Sequence, residues 1–246
     1  MSDQRFVPRA KIAPVPAETT AIGENLERVR ERIERAAARA SRRPEEITIV
    51  AVSKTFPAEA IHAAYDLGLR HFGENRVQEF EGKQSALVNL DAVWHFIGHL
   101  QRNKARRAVQ LFHRIDGVDS LTLAETLESE AAAQEKRVPI LIEVLLGDEP
   151  TKTGIAGTNL LALAESIAPF SGLQLRGLMG VPPYFDDPER TRPYFRKLRE
   201  MKDELSRRLG APLPVLSMGM SHDLEVAIEE GATEIRVGTA LFGTRH

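Results

Sequence analysis

Between residues 47 and 238 the chain alternates, eight times over, between a short strand-forming run and a stretch with helical periodicity. Strands are expected over residues 47–53, 71–74, 93–98, 114–118, 139–146, 175–181, 215–219 and 234–238. The intervening stretches 58–67, 76–86, 104–111, 121–136, 158–168, 188–209 and 221–230 read as helices. Such alternation implies parallel pairing, because each helix carries the chain back to the end from which the next strand starts. Eight strands are the number that closes a barrel. No Gly-rich dinucleotide fingerprint follows the first strand, which weighs against an open doubly wound sheet. The expected fold is therefore α/β: a single (β/α)8 TIM-type barrel spanning residues 19–246.

An extra helix is expected ahead of the barrel. Residues 1–18 mix charge with Pro8, Pro14 and Pro16 and read as a flexible leader. Thr19 or Thr20 is suited to capping the helix that follows, where Ile22, Leu26, Val29, Ile33, Ala37 and Ala40 recur on one face. Few residues follow the last strand, too few for a full outer helix. The N-terminal helix is expected to cover that gap.

Composition removes several kinds of function. The chain has no cysteine, so thiolate catalysis, thiolate metal sites and disulfides are excluded. A net charge of -2 gives no general affinity for nucleic acid or an anionic membrane. No apolar run is long enough to span a bilayer, and the first residues lack a signal peptide's apolar core. The expectation is a soluble cytoplasmic protein, monomeric or weakly dimeric, with no metal, nucleic-acid or membrane partner.

In barrels of this kind, chemistry gathers where the strands end. The first strand, within ITIVAVSKTFP, stops on Lys54 before Pro57, and Val50, Val52 and Lys54 share one face. An amine above apolar neighbours loses hydration, becomes more nucleophilic and is suited to forming a Schiff base with an aldehyde. Ser221 precedes a helix and reads as its N-cap, while Gly238 and Thr239 end the eighth strand. The loops after strands seven and eight are the recurrent phosphate site of such barrels. Arg236 lies two residues before Gly238, on the same strand face, and an inward arginine needs hydrogen-bond acceptors. A structural ion pair would satisfy it, as would the ring nitrogen of a phosphorylated heterocycle reaching from Ser221 to Lys54. Pyridoxal phosphate has that shape.

At these residues the sequence resembles the pyridoxal phosphate homeostasis protein family, single-domain relatives of the alanine racemase barrel. The segments AVSKTFP, FGENRVQE, WHFIGHLQRNK, TKTG, GLMGVPP and SMGMSHDLEVAIEEGATEIRVGTALFG carry the resemblance across nearly the whole chain. It implies Lys54 as the Schiff-base lysine and Ser221, Gly238 and Thr239 at the phosphate. It also implies Arg236 facing the pyridine nitrogen and Asn75 near the ring. Phe56 stands where many members carry a second lysine, and Arg102 where serine is usual.

Guanidinium only donates, so a ring nitrogen facing Arg236 must be unprotonated and is a poor electron sink. Racemases of the related barrel add a further domain that supplies a second base, and this chain ends soon after the eighth strand. The expected role is holding pyridoxal phosphate and delivering it to dependent apoenzymes, without robust turnover. Lys152, in the loop GDEPTKTG after the fifth strand, is a candidate second amine for that transfer. Alternatives are a weak amino-acid racemase or a lysine-dependent aldolase on the same barrel. For the aldolase, Glu74 would be the acid/base, although a charge partner at a strand end is the favoured reading of that residue.

Overall fold

The computed structural model describes residues 17–147 and 153–244, and all statements of absence below refer to these residues. Eight parallel strands close into a barrel in sequence order: β1 (Thr48–Val52), β2 (His71–Glu74), β3 (Val93–Phe96), β4 (Arg114–Val118), β5 (Val138–Leu145), β6 (Leu173–Val181), β7 (Val215–Met220) and β8 (Glu234–Val237). Helices α2 (Ala58–Asp66), α3 (Val77–Leu87), α4 (Ala105–Leu111), α5 (Leu121–Ala133), α6 (Leu160–Ile167), α7 (Arg192–Leu209) and α8 (Leu224–Glu229) follow successive strands.

The alternation of side chains sorts each strand into two faces. Ala51, Phe72, Trp94, Ile115, Ile140, Ile142, Leu216 and Ile235 are buried in the shell between strands and helices. Val50, Val52, Leu141 and Met179 are buried but stand outside that shell, on the side of the lumen. Leaving both faces dry explains why β1 reads as a near-continuous apolar run.

The extra helix α1 (Ala17–Arg39) exists and is longer than expected. It starts ahead of Thr19 and Thr20, so neither is its N-cap, and the last two residues assigned to the leader are helical. The remainder of the leader lies outside the described residues. Ile22, Leu26, Val29 and Ile33 are buried, as their spacing requires. The chain after β8 forms one short turn of helix, α9 (Thr239–Phe242). α1 packs across it, Asn25 Nδ2 donating to Leu241 O at 2.8 Å, and just past the end of α1 Arg42 Nη1 donates to Ile228 O and Ala232 O, at the end of α8, at 2.9 and 2.7 Å. The N-terminal helix thus covers the place of a full eighth outer helix.

Candidate cofactor-binding site

β1 ends at Val52, so Lys54 does not close the strand as its sequence suggests. It sits in the turn two residues beyond, half-buried. The register across the β1–β8 seam still places it near the arginine: Val50 pairs with Arg236 and Ala51 with Val237. Arg236 is therefore level with Val50 and Gly238 with Val52, just below Lys54. A Cβ built on Gly238 would meet Val52 Cβ and O at 3.5 and 3.6 Å, ordinary contact distances. The protein's own packing leaves room at Gly238, which fits a ligand lying against the bare backbone.

Arg236 is 5% exposed and meets no carboxylate within ion-pair distance. Instead Nη1 donates to Ser217 Oγ at 2.8 Å and Nη2 to Gly180 O at 3.0 Å. The structural ion pair that would have made it a mere core residue is absent, and its remaining donors have no protein acceptor. Burial pulls the guanidinium below its ordinary value, and Asp116 first, then Glu143, offset that pull. It stays charged, since guanidinium does not lose its proton in proteins.

The loops after β7 and β8 meet, but not through a cap. Helix α8 begins at Leu224 with Asp223 in the N-cap position, three residues later than expected. Ser221 is accordingly not an N-cap. Its Oγ accepts from Ala240 N–H at 3.1 Å, tying the β7 loop to the first turn of α9 beside Gly238 and Thr239. Asp223 Oδ1 instead accepts from Met220 N–H at 2.6 Å and closes the turn on itself. Gly219 makes this turn possible: its φ is +88°, and a Cβ there would strike Ala227 Cβ at 2.4 Å. Arg32 of α1 holds the same turn from outside, donating to Ser221 O at 2.9 Å and to both Glu225 oxygens at 2.6 and 2.7 Å.

Asn75 follows β2, half-buried, and its side chain makes no hydrogen bond to the described residues. It lines a cleft of about 400 Å³ with Arg76, His99, Gln101 and Lys104. Neither Lys54 nor Arg236 lines that cleft. Lys152 lies outside the described residues. Phe56 packs its ring on Phe242, the centroids 4.8 Å apart, so that position serves packing.

Two features at the site are not apparent in a strand-by-strand reading. Glu143 on β5 is buried, and Thr153 Oγ1 donates to its two oxygens at 3.1 and 3.0 Å. Burial pushes this carboxyl up, and the Thr153 hydrogen bond and Arg236 only partly oppose it. Beneath the mouth lies a polar floor. Arg114 donates to Asp116 at 2.6 and 2.9 Å and to both oxygens of Glu234, one at 2.6 Å. His71 Nδ1 and His95 Nε2 lie 2.9 Å apart beside it. The signal was there: Arg114 and Asp116, like Glu234 and Arg236, are polar residues two apart on one strand face. Glu74 occupies the opposite face of β2, turned from the lumen. Its Oε1 accepts from Ser53 Oγ at 2.8 Å and Lys83 Nζ at 3.2 Å, which is the charge-partner role and not an acid/base at the mouth.

The closed parallel eight-stranded barrel belongs to the class of the alanine racemase N-terminal domain, whose family model matches residues 24–246. Within that class, the chain belongs to the pyridoxal phosphate homeostasis protein family. It is 48% identical over 222 residues to the pyridoxal phosphate homeostasis protein of Aquifex aeolicus, covering 90% of this chain and 97% of the relative. PipY of Synechococcus elongatus, solved with PLP bound, is 40% identical with a TM-score of 0.80, covering 90% of this chain and all of PipY. Alanine racemase of Clostridium difficile superimposes with a TM-score of 0.72 at 14% identity, covering 92% of this chain and 57% of the racemase, which shows the shared fold alone.

Proposed function

We propose that this protein binds pyridoxal phosphate in the mouth of the barrel, covalently through Lys54, and supplies it to dependent apoenzymes in the cytoplasm without turning over a substrate. In this reading it acts as a monomer or weak dimer. Arg236 carries the reading: a buried, donor-only group with no carboxylate partner calls for an acceptor from a ligand. Ser221, Gly238 and Thr239 would hold the phosphate, where Gly238 presents bare backbone and Ser221 Oγ, accepting from Ala240 N–H, keeps its own proton to donate. Asn75 would flank the ring. Bound there, pyridoxal phosphate would offer an aldehyde to the Lys54 amine, one water being lost on condensation.

Arg236 also supports a carrier over an enzyme, because it cannot protonate the ring nitrogen that a strong electron sink requires. The visible spectrum with and without borohydride, followed by peptide mapping, tests the reading. The wild type is expected to be yellow and to carry the reduced label on Lys54, and Lys54→Ala to be folded and colourless. Label on another lysine removes the assignment, and appreciable steady-state racemisation removes the carrier role.

Lys152 is proposed as the amine that exchanges with Lys54 during delivery. Lys152→Arg keeps the charge but cannot form the imine, so transfer to an apoenzyme should slow with little change in equilibrium affinity. An unchanged transfer rate would contradict exchange.

A further inference from the structure

The turn that carries Lys54 is held in an unfavourable backbone conformation. Thr55 has φ +69°, in the left-handed region. Two other described non-glycine residues share that region, Ser41 and Glu135, and each follows the end of a helix, where such a conformation is common. Thr55 is β-branched and follows a strand, so its Cβ crowds the backbone with no helix end to explain it.

What holds Thr55 there comes from behind the barrel wall. Thr55 N–H donates to Glu79 Oε1 at 2.5 Å. Lys83, one turn further along α3, donates from Nζ to Glu79 Oε1 at 2.8 Å, to Glu74 Oε1 at 3.2 Å and to Ser53 O at 3.2 Å. Ser53 Oγ donates to the same Glu74 oxygen, and Phe56 N–H closes the turn on Ser53 O at 3.1 Å. Ser53 and Glu74 are fully buried, on the face of β1 and β2 turned away from the lumen. These groups therefore bond the backbone on both sides of Lys54 from the face turned away from the lumen.

We propose that Glu79, Lys83 and Glu74 are positioning residues for Lys54: a clamp that keeps the Ser53–Phe56 turn in its left-handed form and the amine on the lumen side. The proposal rests on the reading that Lys54 carries the cofactor. Freed of the clamp, Thr55 relaxes to negative φ, a large rotation next to Lys54 that redirects its side chain. Replacement of Thr55 by glycine removes the penalty of the left-handed form and with it the need for the clamp.

That compensation supplies the test. Two quantities are measured: hydrogen exchange at Thr55 and Phe56 in the cofactor-free protein, and the rate at which added pyridoxal phosphate becomes trapped on Lys54 by borohydride. Glu79→Ala should weaken amide protection at both positions and slow trapping about fivefold or more, the scale of one strained residue. Glu79→Gln, which keeps an acceptor for Thr55 N–H, should stay near wild type. The double variant Glu79→Ala with Thr55→Gly should recover trapping to within about twofold of wild type, since glycine adopts the same φ unaided. A residue needed only for general stability would gain nothing from that glycine. Should Glu79→Ala fail to fold, Lys83→Met with and without Thr55→Gly replaces it, with the same rescue expected. Wild-type trapping and protection in Glu79→Ala, or absence of rescue by Thr55→Gly, overturns the clamp. Label on a different lysine in the wild type overturns the Lys54 reading instead.

Discussion

Arg236 and Glu143 show how single residues at the mouth are tuned by what surrounds them. Arg236 touches no carboxylate, yet the Arg114–Asp116–Glu234 group below it carries one more negative charge than positive, so the interior balances without a direct pair. For Asp116, burial pushes the carboxyl up, but Arg114 and then His95 overcome this and hold it well below the usual range. Glu143 goes the other way, raised by burial. A carboxyl whose folded value lies above its unfolded value binds more protons in the folded state. It therefore loses stability as pH rises through the interval between the two values. Glu143→Gln keeps an acceptor for Thr153 and removes the ionisation. Urea unfolding from about pH 4 to pH 7 should show the wild type losing stability relative to Glu143→Gln as pH rises. Parallel pH profiles would mean that the carboxyl is not raised. Glu74 is also raised by burial, but it is common to both proteins and cancels in the comparison.

At the scale of elements, the site is assembled by loops that other elements restrain. The β7 turn at Ser221 is gripped from one side by α9 through Ala240 and from the other by α1 through Arg32. Arg32 is partly exposed and binds Glu225 through both oxygens, a geometry that makes a surface pair worth more than most. Arg32→Met keeps much of the apolar stem and deletes these bonds. It should cost about 1 kcal/mol, which lowers Tm by roughly 2–4 °C in a protein of this size. Hydrogen exchange around Ser221 should quicken in the same variant. A Tm and exchange pattern identical to wild type would show that α1 merely covers the barrel.

Over the whole molecule, the barrel buries charge where an apolar filling would be simpler. Arg114 sits between Asp116 and Glu234, all three 8% exposed or less. Such a group adds little net stability over well-packed apolar residues, but removing one member strands the others in a low-dielectric interior. Arg114→Met leaves two buried carboxylates facing each other and should destabilise by about 3–5 kcal/mol, measured by chemical denaturation at neutral pH. Changing all three residues to apolar ones of similar volume should restore much of that loss. If it does, the floor is there to place charge under Arg236 and not to hold the barrel together.

The architecture was legible in the sequence because it rests on local periodicity. Period-two strands and period-3.6 helices in strict alternation allow few folds, and the barrel, its strand order and the covering role of α1 follow from that. So does the face on which Val50, Val52 and Arg236 lie, since strand parity is counted along the chain. What the tertiary structure alone decided depends on partners distant in sequence. Ser221 reads as a helix cap because serine before an apolar run often is one, yet the bond it makes is to Ala240. Lys54 reads as the last residue of a strand, but it sits in a turn bonded to Glu79 and Lys83 of α3, with Thr55 in a left-handed conformation that nothing in SKTFP requires. Arg236 could have had an ion pair from any of several carboxylates. The closed barrel gave Asp116 and Glu234 to Arg114, Glu143 to Thr153 and Asp223 to the Met220 amide, and left Arg236 with a hydroxyl and a carbonyl. Pairing of this kind is set by which side chains the closed lumen brings within hydrogen-bond reach, and local propensity carries no record of it.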